Sequence, residues 1–356
     1  MKRIGIMLDW ELMQKGIAGK RSYERLDYYV EIGKELGLEP VFFHPRHVKW
    51  KARKVLGHFW SGRRLIPRLV SIPQVIHNRV LSGQKPVRAT IKKLSKHYQV
   101  YNGIVVRDKL RVHRLLWENP ILRPFLPRTD RFTPETVERF LGKHGVFYVK
   151  PSIGSVGDGV LRVERQGETY RLISHKLRKR VRKHAVRKEL RHWVANRRFL
   201  VQQGISLATY EDKTFDIRVS VQKNGNHVWC VSGMVAKVAN AHNKLSNLAR
   251  GGTAVPLNVV LSRLFNQEMV QQIRYKLQYT AIEIAKQYAK HFPSLADLGM
   301  DMGIDQRGNP FLIEVNVRDQ RYSFYEAGEI ELFRMTYRHP LEYGKSLMTK
   351  AKNKTT

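Results

Sequence analysis

Cysteine is nearly absent: Cys230 is the one thiol in 356 residues. That excludes a disulfide within the chain and a cysteine metal cluster. Cys230 lies in Val-Trp-Cys-Val, a setting that suits a core position better than a nucleophile. No apolar run reaches the roughly 18 residues a membrane-spanning helix needs. The opening MKRIGIMLDW carries basic residues, but Asp9 and Glu11 cut its apolar run short. It reads as a first β-strand and a poor signal peptide. Together these absences fit an intracellular, cytoplasmic protein. The fourteen histidines are scattered without metal-ligand spacing. No Ser-His-Asp or Cys-His arrangement, internal repeat or low-complexity block stands out.

Acidic residues are also scarce. Asp and Glu total 30 against 65 Lys and Arg, a formal charge of +35. Such a balance attracts polyanions without naming one. Between Glu39 and Asp108 there is no acid at all, while Lys and Arg number fifteen. Trp50, Phe59, Trp60 and Tyr98 are interleaved there. Basic residues with aromatics can bind nucleic acid. No nucleic-acid motif accompanies them, so a solvated basic face over an ordinary core is the simpler reading.

The length and a 42% hydrophobic content suit two or three domains of roughly 100–200 residues each. Residues 1–100 open strand–helix–strand: Arg3–Leu8, then Tyr23–Leu36 with Gly37 as C-cap, then Glu39–His44. Asp108 is a candidate N-cap for a helix reaching Trp117, and Thr133-Pro134 starts another. Val146–Lys150 is a strand, followed by the glycine-rich turn PSIGSVGDGV and a return strand, Leu161–Arg165. Glycines there let backbone N–H groups approach phosphate oxygens; a plain hairpin loop reads similarly. Residues 172–198 hold eleven Lys or Arg against one acid, Glu189. Their apolar spacing predicts a basic amphipathic helix, which fits either a polyanion surface or an ordinary helix with a solvated face. Strands follow at Phe199–Gln203, Thr214–Gln222 and Val228–Val238, then the loop NLARGG and a long helix, Gln267–Tyr288. Residues 346–356 read as a frayed polar tail.

Leu298–Arg318 reads as a hairpin turning at Gly308. Glu314 and Asn316 share a face by their spacing of two, and Asp301 projects from the partner strand to the same side. Two carboxylates and an amide oxygen are hard ligands of the kind Mg²⁺ takes, with water and phosphate completing the shell. In isolation the hairpin is equally a surface element with solvated acids.

The order of these parts carries more than any one of them. Lys109 opens a helix in RDKLRVHRLL. Lys150 ends a strand before a glycine-rich loop in YVKPSIGSVGDGV. Then come VQQGI (201–205), DIRV, NLARGG and D-x12-E-x-N. This resembles the ATP-grasp superfamily of carboxylate–amine ligases, and within it the YheC/YheD family of spore-coat-associated proteins, over roughly residues 100–340. The resemblance implies an α/β (α+β) ATP-grasp fold with an N-terminal α/β pre-ATP-grasp domain. It implies domains at 1–100 and 101–345, the latter carrying the basic helical insertion 172–198, before the tail at 346–356.

It also implies roles. Lys109 and Lys150 would neutralise the α- and β-phosphates of ATP, and Gly154, Ser155, Gly157 and Gly159 would cover them. Gln202, Gln203 and the backbone through Ile205 would line the adenine pocket; many relatives carry glutamate where Gln203 stands. Asp301, Glu314 and Asn316 would hold Mg²⁺. Arg218, Arg250 and Asn247 would stabilise the transferring phosphoryl group, with Lys237 a further cofactor-side candidate. The implied activity is an ATP- and Mg²⁺-dependent ligase that makes an amide through an acyl-phosphate. The carboxylate and amine substrates are not named by the sequence; the basic first domain and the 172–198 segment fit an acidic or polymeric acceptor. Spore-coat proteins are implied partners, and the forespore surface or coat an implied location. The alternative is a structural coat protein on the same scaffold that binds nucleotide without turnover.

Overall fold

The computed structural model describes residues 1–103, 106, 108–154, 158–195, 197–240 and 251–352. The apolar opening forms β1 (Lys2–Met7), buried from Ile4 onward. Unbroken apolar runs belong to strands covered on both faces, as in parallel sheets. β1 is accordingly flanked by β2 (Leu38–Phe43) and β6 (Val75–Asn78), both parallel to it. The helix α1 (Trp10–Ile17) follows β1, and α2 (Leu26–Glu35) leads into β2. Gly37, at φ +70°, makes the turn between α2 and β2. β3 (Val48–Lys49), β4 (Lys54–Trp60), β5 (Leu65–Ser71) and β7 (Gln99–Tyr101), with α3 (Lys85–His97), complete this first unit. Its strand order is β3-β4-β2-β1-β6-β7, with β5 on β4. The interleaved aromatics of this acid-poor stretch belong to the core. Phe59 is buried, Trp50 and Tyr98 pack against the same cluster, and Trp60 packs on the opposite one.

The second sheet contains β8 (Thr129–Arg131), β9 (Val146–Pro151), β10 (Leu161–Gln166), β11 (Thr169–Ile173), β12 (Arg178–Arg182) and β13 (Phe199–Gln203). Their order is β12-β11-β10-β9-β13-β8. Before it runs α4 (Lys109–Trp117). The helices α5 (Pro134–Lys143) and α6 (Lys183–Val194) cover one face, packed on Phe147, Val149, Leu161, Val163, Leu172 and Val181. The expected helix over 172–198 is therefore a strand followed by a shorter helix. Arg-Lys-Arg-Val-Arg pairs with β11 as β12, where Val181 alone is buried against the core and main-chain pairing to β11 holds the edge strand. The helical periodicity starts only at Lys183.

The third sheet holds β14 (Thr209–Tyr210), β15 (Lys213–Lys223), β16 (Trp229–Val238), β17 (Thr253–Pro256), β18 (Asp297–Ile304) and β19 (Pro310–Asn316). Its order is β17-β16-β15-β18-β19, with β14 on β15. The helices α7 (Leu257–Leu264) and α8 (Gln267–His291) bury Leu257, Val260, Ile273, Leu277 and Ile284 against it. After α9 (Tyr322–Glu326), α10 (Ile330–Lys352) runs on through the region expected to be a frayed tail. Leu347 and Met348 dock on the cluster around Ile4 and Tyr101, which gives that turn of helix a tertiary partner. Among the described residues, no helix is long and apolar enough to cross a membrane.

Candidate nucleotide and metal site

The acidic hairpin forms as its spacing predicts. Gly308 turns it at φ +75°. Asp301 lies directly opposite Glu314, and Gly299 opposite Asn316. On its other side Asp301 lies opposite Arg218 of β15, and Asp216 of β15 lies opposite Lys237 of β16. Alternation along three neighbouring strands thus gathers Asp216, Arg218, Lys237, Asp301, Glu314 and Asn316 on one face.

Asp301 is held from two sides. Its Oδ1 accepts from Arg218 Nε at 2.9 Å and from Lys237 Nζ at 2.8 Å. Lys237 also pairs with Asp216 at 2.8 Å. Burial alone would raise the Asp301 pKa; the two cations outweigh it and hold the carboxyl well below the usual range. Burial likewise opposes the Lys237 charge, and Asp301 and Asp216 more than offset it. Asn316 Nδ2 reaches Asp301 Oδ2 at 3.4 Å.

Lys109 bridges the two sheets. Asp108 caps α4 by accepting from the amides of Leu110 and Arg111, and Ser152 Oγ donates to the same carboxylate at 2.6 Å. The start of α4 is thereby pinned to the end of β9. From there Lys109 Nζ donates to the Gly154 carbonyl at 2.9 Å and pairs with Glu314 at 3.2 Å. Lys150 donates to Gln202 Oε1 at 2.6 Å, and Gln202 Nε2 donates to Thr129 Oγ1 at 3.0 Å, which orients the amide. Burial, aided by the nearby Lys109 charge, lowers the Lys150 pKa to about 8.

Gln203 Oε1 accepts from the Arg128 amide at 3.2 Å. Its own amide donates to the Arg128 carbonyl, and the Gly204 amide donates to Val146, so this segment is fixed between β8 and β9. Ile205 is half-buried at its end. Gly159 sits at φ +72°, where a Cβ would meet Pro151 at 2.9 Å. Its carbonyl accepts from Trp193 Nε1 at 3.2 Å. Ser155, Gly157, Asn247 and Arg250 lie outside the described residues.

The donor set of Asp301, Glu314 and Asn316 fits a hard cation. It supplies two carboxylates and one amide oxygen, and Glu314 is the more accessible carboxylate, with a third of its side chain exposed. Among the described residues there is no cluster of three or more His, Cys, Asp or Glu that would hold a metal without further ligands. The set therefore suits a cation whose shell is completed by phosphate oxygens and water. Cys230 is half-buried, hydrogen-bonded to the Gln222 carbonyl, and pushed up to about 11 by burial, which leaves it inert as a nucleophile.

A second charged cluster lies behind this face and was not anticipated from the sequence. Arg218 Nη1 reaches Asp319 Oδ1 at 3.3 Å, and Ser220 donates to the other oxygen. Arg79 of the first unit donates to the Asp319 carbonyl at 2.6 Å, to Asp297 at 2.9 Å and to Glu24 at 3.0 Å. Arg321 donates to Asp297 at 2.6 Å, and His77 meets the same oxygen at 3.1 Å. Burial brings His77 down to about 4, so it is a neutral partner there. Arg318 pairs with Asp9 at 2.6 Å and donates to Tyr23 at 2.7 Å. These partners come from segments far apart in the chain, and no local spacing marks them.

A family model described as YheC/D-like ATP-grasp matches residues 97–347. The endospore coat-associated protein YheD of Bacillus subtilis (strain 168) is 26% identical over 332 residues, covering 87% of this chain and 70% of that one. Its counterpart YheC from the same organism is 22% identical over 314 residues, covering 83% and 86%. The crystal structure of the VanG D-Ala:D-Ser ligase from Enterococcus faecalis superposes with a TM-score of 0.54 at 10% identity, covering 96% of this chain and 99% of that one. That likeness is one of fold, an ATP-grasp architecture with an α/β unit before it. With the family model spanning most of its length and the lysines, arginine and acidic hairpin in their expected order, the chain belongs to the YheC/D-like ATP-grasp family.

Proposed function

We propose that the protein is an ATP- and Mg²⁺-dependent carboxylate–amine ligase that works through an acyl-phosphate. The observation that carries this reading is Lys109: one ammonium touches both the glycine-rich turn and Glu314 of the acidic hairpin. A nucleoside triphosphate in that gap would meet Lys150 from the second sheet, Lys109 from the start of α4 and Arg218 from the third sheet. Asp301, Glu314 and Asn316 would hold Mg²⁺, which would neutralise phosphate charge and fix the phosphate oxygens.

The chain's own residues then do the rest. Lys109 and Lys150 act as point charges on the phosphates. Arg218, locked by Asp301 and Asp319, is a preorganised cation beside the transferring group and costs no reorganisation at the moment of transfer. Gln202, anchored through Thr129, holds Lys150 in place. A substrate carboxylate attacks the γ-phosphorus and ADP leaves. An amine then displaces phosphate from the acyl-phosphate to give the amide. Positioning and charge do this work without a side-chain nucleophile.

A second reading keeps nucleotide binding and drops turnover. The names of the two Bacillus relatives describe a location at the endospore coat, which supports a place at the forespore surface or coat for this chain under either reading, with coat proteins as partners. The nucleic-acid reading rests on charge alone. Calorimetry of ATP with and without Mg²⁺, on the wild type and on Glu314→Ala, tests the site. Metal-dependent binding that is lost in the variant is the expected result. Mg²⁺-independent binding, or binding unchanged in the variant, would remove the metal assignment. Phosphate release in a screen of acidic peptides and amines then separates ligase from scaffold.

A further inference from the structure

The basic segment singled out in the sequence is not absorbed by the nucleotide site, and the fold gives it a direction. Residues opposite one another across antiparallel strands share a face. Tyr148 pairs with Arg162, Arg162 with Ile173, and Ile173 with Arg178; Arg171 pairs with Arg180. With the alternation, Lys150 of β9, Arg162 of β10, Arg171 of β11 and Arg178, Arg180 and Arg182 of β12 stand on one face, opposite the face covered by α5 and α6. Lys150 is the phosphate lysine of the site, and β12 lies three strand spacings away, about 14 Å. The one acid among the strand residues of that face from β9 to β12, Glu164, is paired with Arg162 at 3.4 Å. Arg171, Arg178, Arg180 and Arg182 form no salt bridge among the described residues. A shallow, open depression of about 180 Å³ lies at the paired strands β11 and β12, lined by Arg171, Leu172, Ile173, Arg178, Lys179 and Arg180.

We propose that this face is a docking track for an acidic polypeptide, which lies along the open edge of β12 and is led across the sheet toward Lys150. The proposal rests on the ligase reading in one respect: side-chain or terminal carboxylates of such a polypeptide are the class of group the site would activate.

The edge argues for a peptide. β12 pairs only with β11 among the described residues, so its outer main-chain groups are open to strand addition. Arg178, Arg180 and Arg182 repeat every two residues, about 7 Å, which matches acidic side chains at alternate positions of an added strand. Charged residues also guard edge strands against aggregation, but that role needs no row of cations continuing over three more strands. Nucleic acid is disfavoured because residues 161–195 carry no exposed Phe, Tyr or Trp for bases to stack on, only the smaller rings of His175, His184 and His192. The same lack of exposed apolar side chains disfavours insertion into a lipid surface. The track is also tied to the nucleotide site, since Trp193 of α6 holds Gly159 of the glycine-rich turn.

The test is fluorescence anisotropy of a labelled oligo-L-glutamate peptide with the full chain, with Mg-ATP affinity measured in parallel. The wild type is expected to bind the peptide more weakly as salt rises. Arg178→Gln/Arg180→Gln/Arg182→Gln should weaken peptide binding by about tenfold or more and leave Mg-ATP affinity unchanged. Lys143→Gln/Lys188→Gln/Arg191→Gln removes the same charge from α5 and α6 on the opposite side and should change peptide binding by less than about twofold. If both triple variants weaken it equally, the effect is net charge alone and the track is refuted. Unchanged binding by the β12 triple refutes it as well. Tighter binding of a single-stranded oligodeoxynucleotide of equal charge, lost in the β12 triple, would replace the peptide with nucleic acid. Should the β12 triple fail to fold, Arg180→Glu alone carries the same expectation and the same refutation. Loss of ATP binding by the wild type would sink the ligase reading and leave the docking result readable.

Discussion

Arg218 and Asp301 face each other across β15 and β18, and their contact is shared: the oxygen that takes Arg218 at 2.9 Å also takes Lys237 at 2.8 Å. The same guanidinium turns its Nη1 toward Asp319. One arginine therefore pairs with two buried carboxylates.

Removing it should be costly. Arg218→Ala leaves Asp319 and part of the Asp301 charge unpaired in the interior, and breaking a buried pair from one side costs about 3–5 kcal/mol. Arg218→Lys keeps a charge but not the fork and should lose less. Denaturant unfolding of both variants measures this. A loss under about 1 kcal/mol for the alanine variant would show that water already reaches the cluster.

Lys150 sets a pH dependence. Its pKa of about 8 means that the free protein loses this charge as pH rises through 8. Phosphates favour the protonated form, so binding ATP above pH 8 must take up a proton. ATP affinity should fall above pH 8 by up to about tenfold per pH unit. Lys150→Arg stays charged and should flatten the profile while keeping affinity; Lys150→Ala should flatten it at lower affinity. Calorimetry across pH 7–10 reads both. An unchanged slope in Lys150→Arg would assign the effect to another group.

The acidic hairpin was legible because its information is local. D-x12-E-x-N fixes which side chains share a face once a turn is placed at Gly308. Lys109, Lys150 and Arg218 were singled out by the order of motifs that the family resemblance supplies, and their elements form where that order places them. Arg79 and Asp297 were not, since they meet from 218 positions apart and neither sits in a recurring pattern. The division at Lys183 was missed because a five-residue edge strand with one buried valine has no contrast of its own beside a basic helix. The helical end of α10 was missed because its partners, Ile4 and Tyr101, lie at the other end of the chain.

Acid should loosen the join between the first unit and the rest. Burial would raise the Glu24 pKa, but Arg79 and Arg321 outweigh it and bring it to about 2. A carboxyl with a folded pKa below its unfolded value stabilises above the unfolded value, near 4.5, and loses that contribution as pH falls toward 2. The shift corresponds to a contribution on the order of 3 kcal/mol. Asp319 is shifted upward, chiefly by burial, and works in the opposite sense over its own range. Glu24→Gln should lower stability at pH 7 and flatten the acid limb between pH 4.5 and 2, followed by thermal unfolding. An acid limb as steep as that of the wild type would place the sensitivity elsewhere.

Gly299 should tolerate nothing larger. A Cβ there would stand 2.5 Å from Asp319 Oδ1 and 3.1 Å from its Cα. Because the backbone as well as the side chain is in the way, Gly299→Ala should cost about 1–3 kcal/mol and disturb Arg218 with it. Unfolding measurements with parallel ATP titration would register both effects; a neutral variant would show that the loop carrying Asp319 yields freely.

The charged cluster of Glu24, Arg79, Asp297 and Arg321 has a mechanical corollary. The first unit and the third sheet also share an apolar core, in which Ile4 and Leu38 meet Val235 and Phe324. The second sheet keeps a core of its own around Phe147 and Val163. Between it and the others run the strand ends near Gln203, the Asp108–Ser152 contact at the start of α4 and the bridging ammonium of Lys109. The molecule thus resembles a heavy anvil with one light jaw. Under the proposed ligase function, freedom to admit and release a nucleotide would reside in that jaw, and the row of arginines on β12 would travel with it.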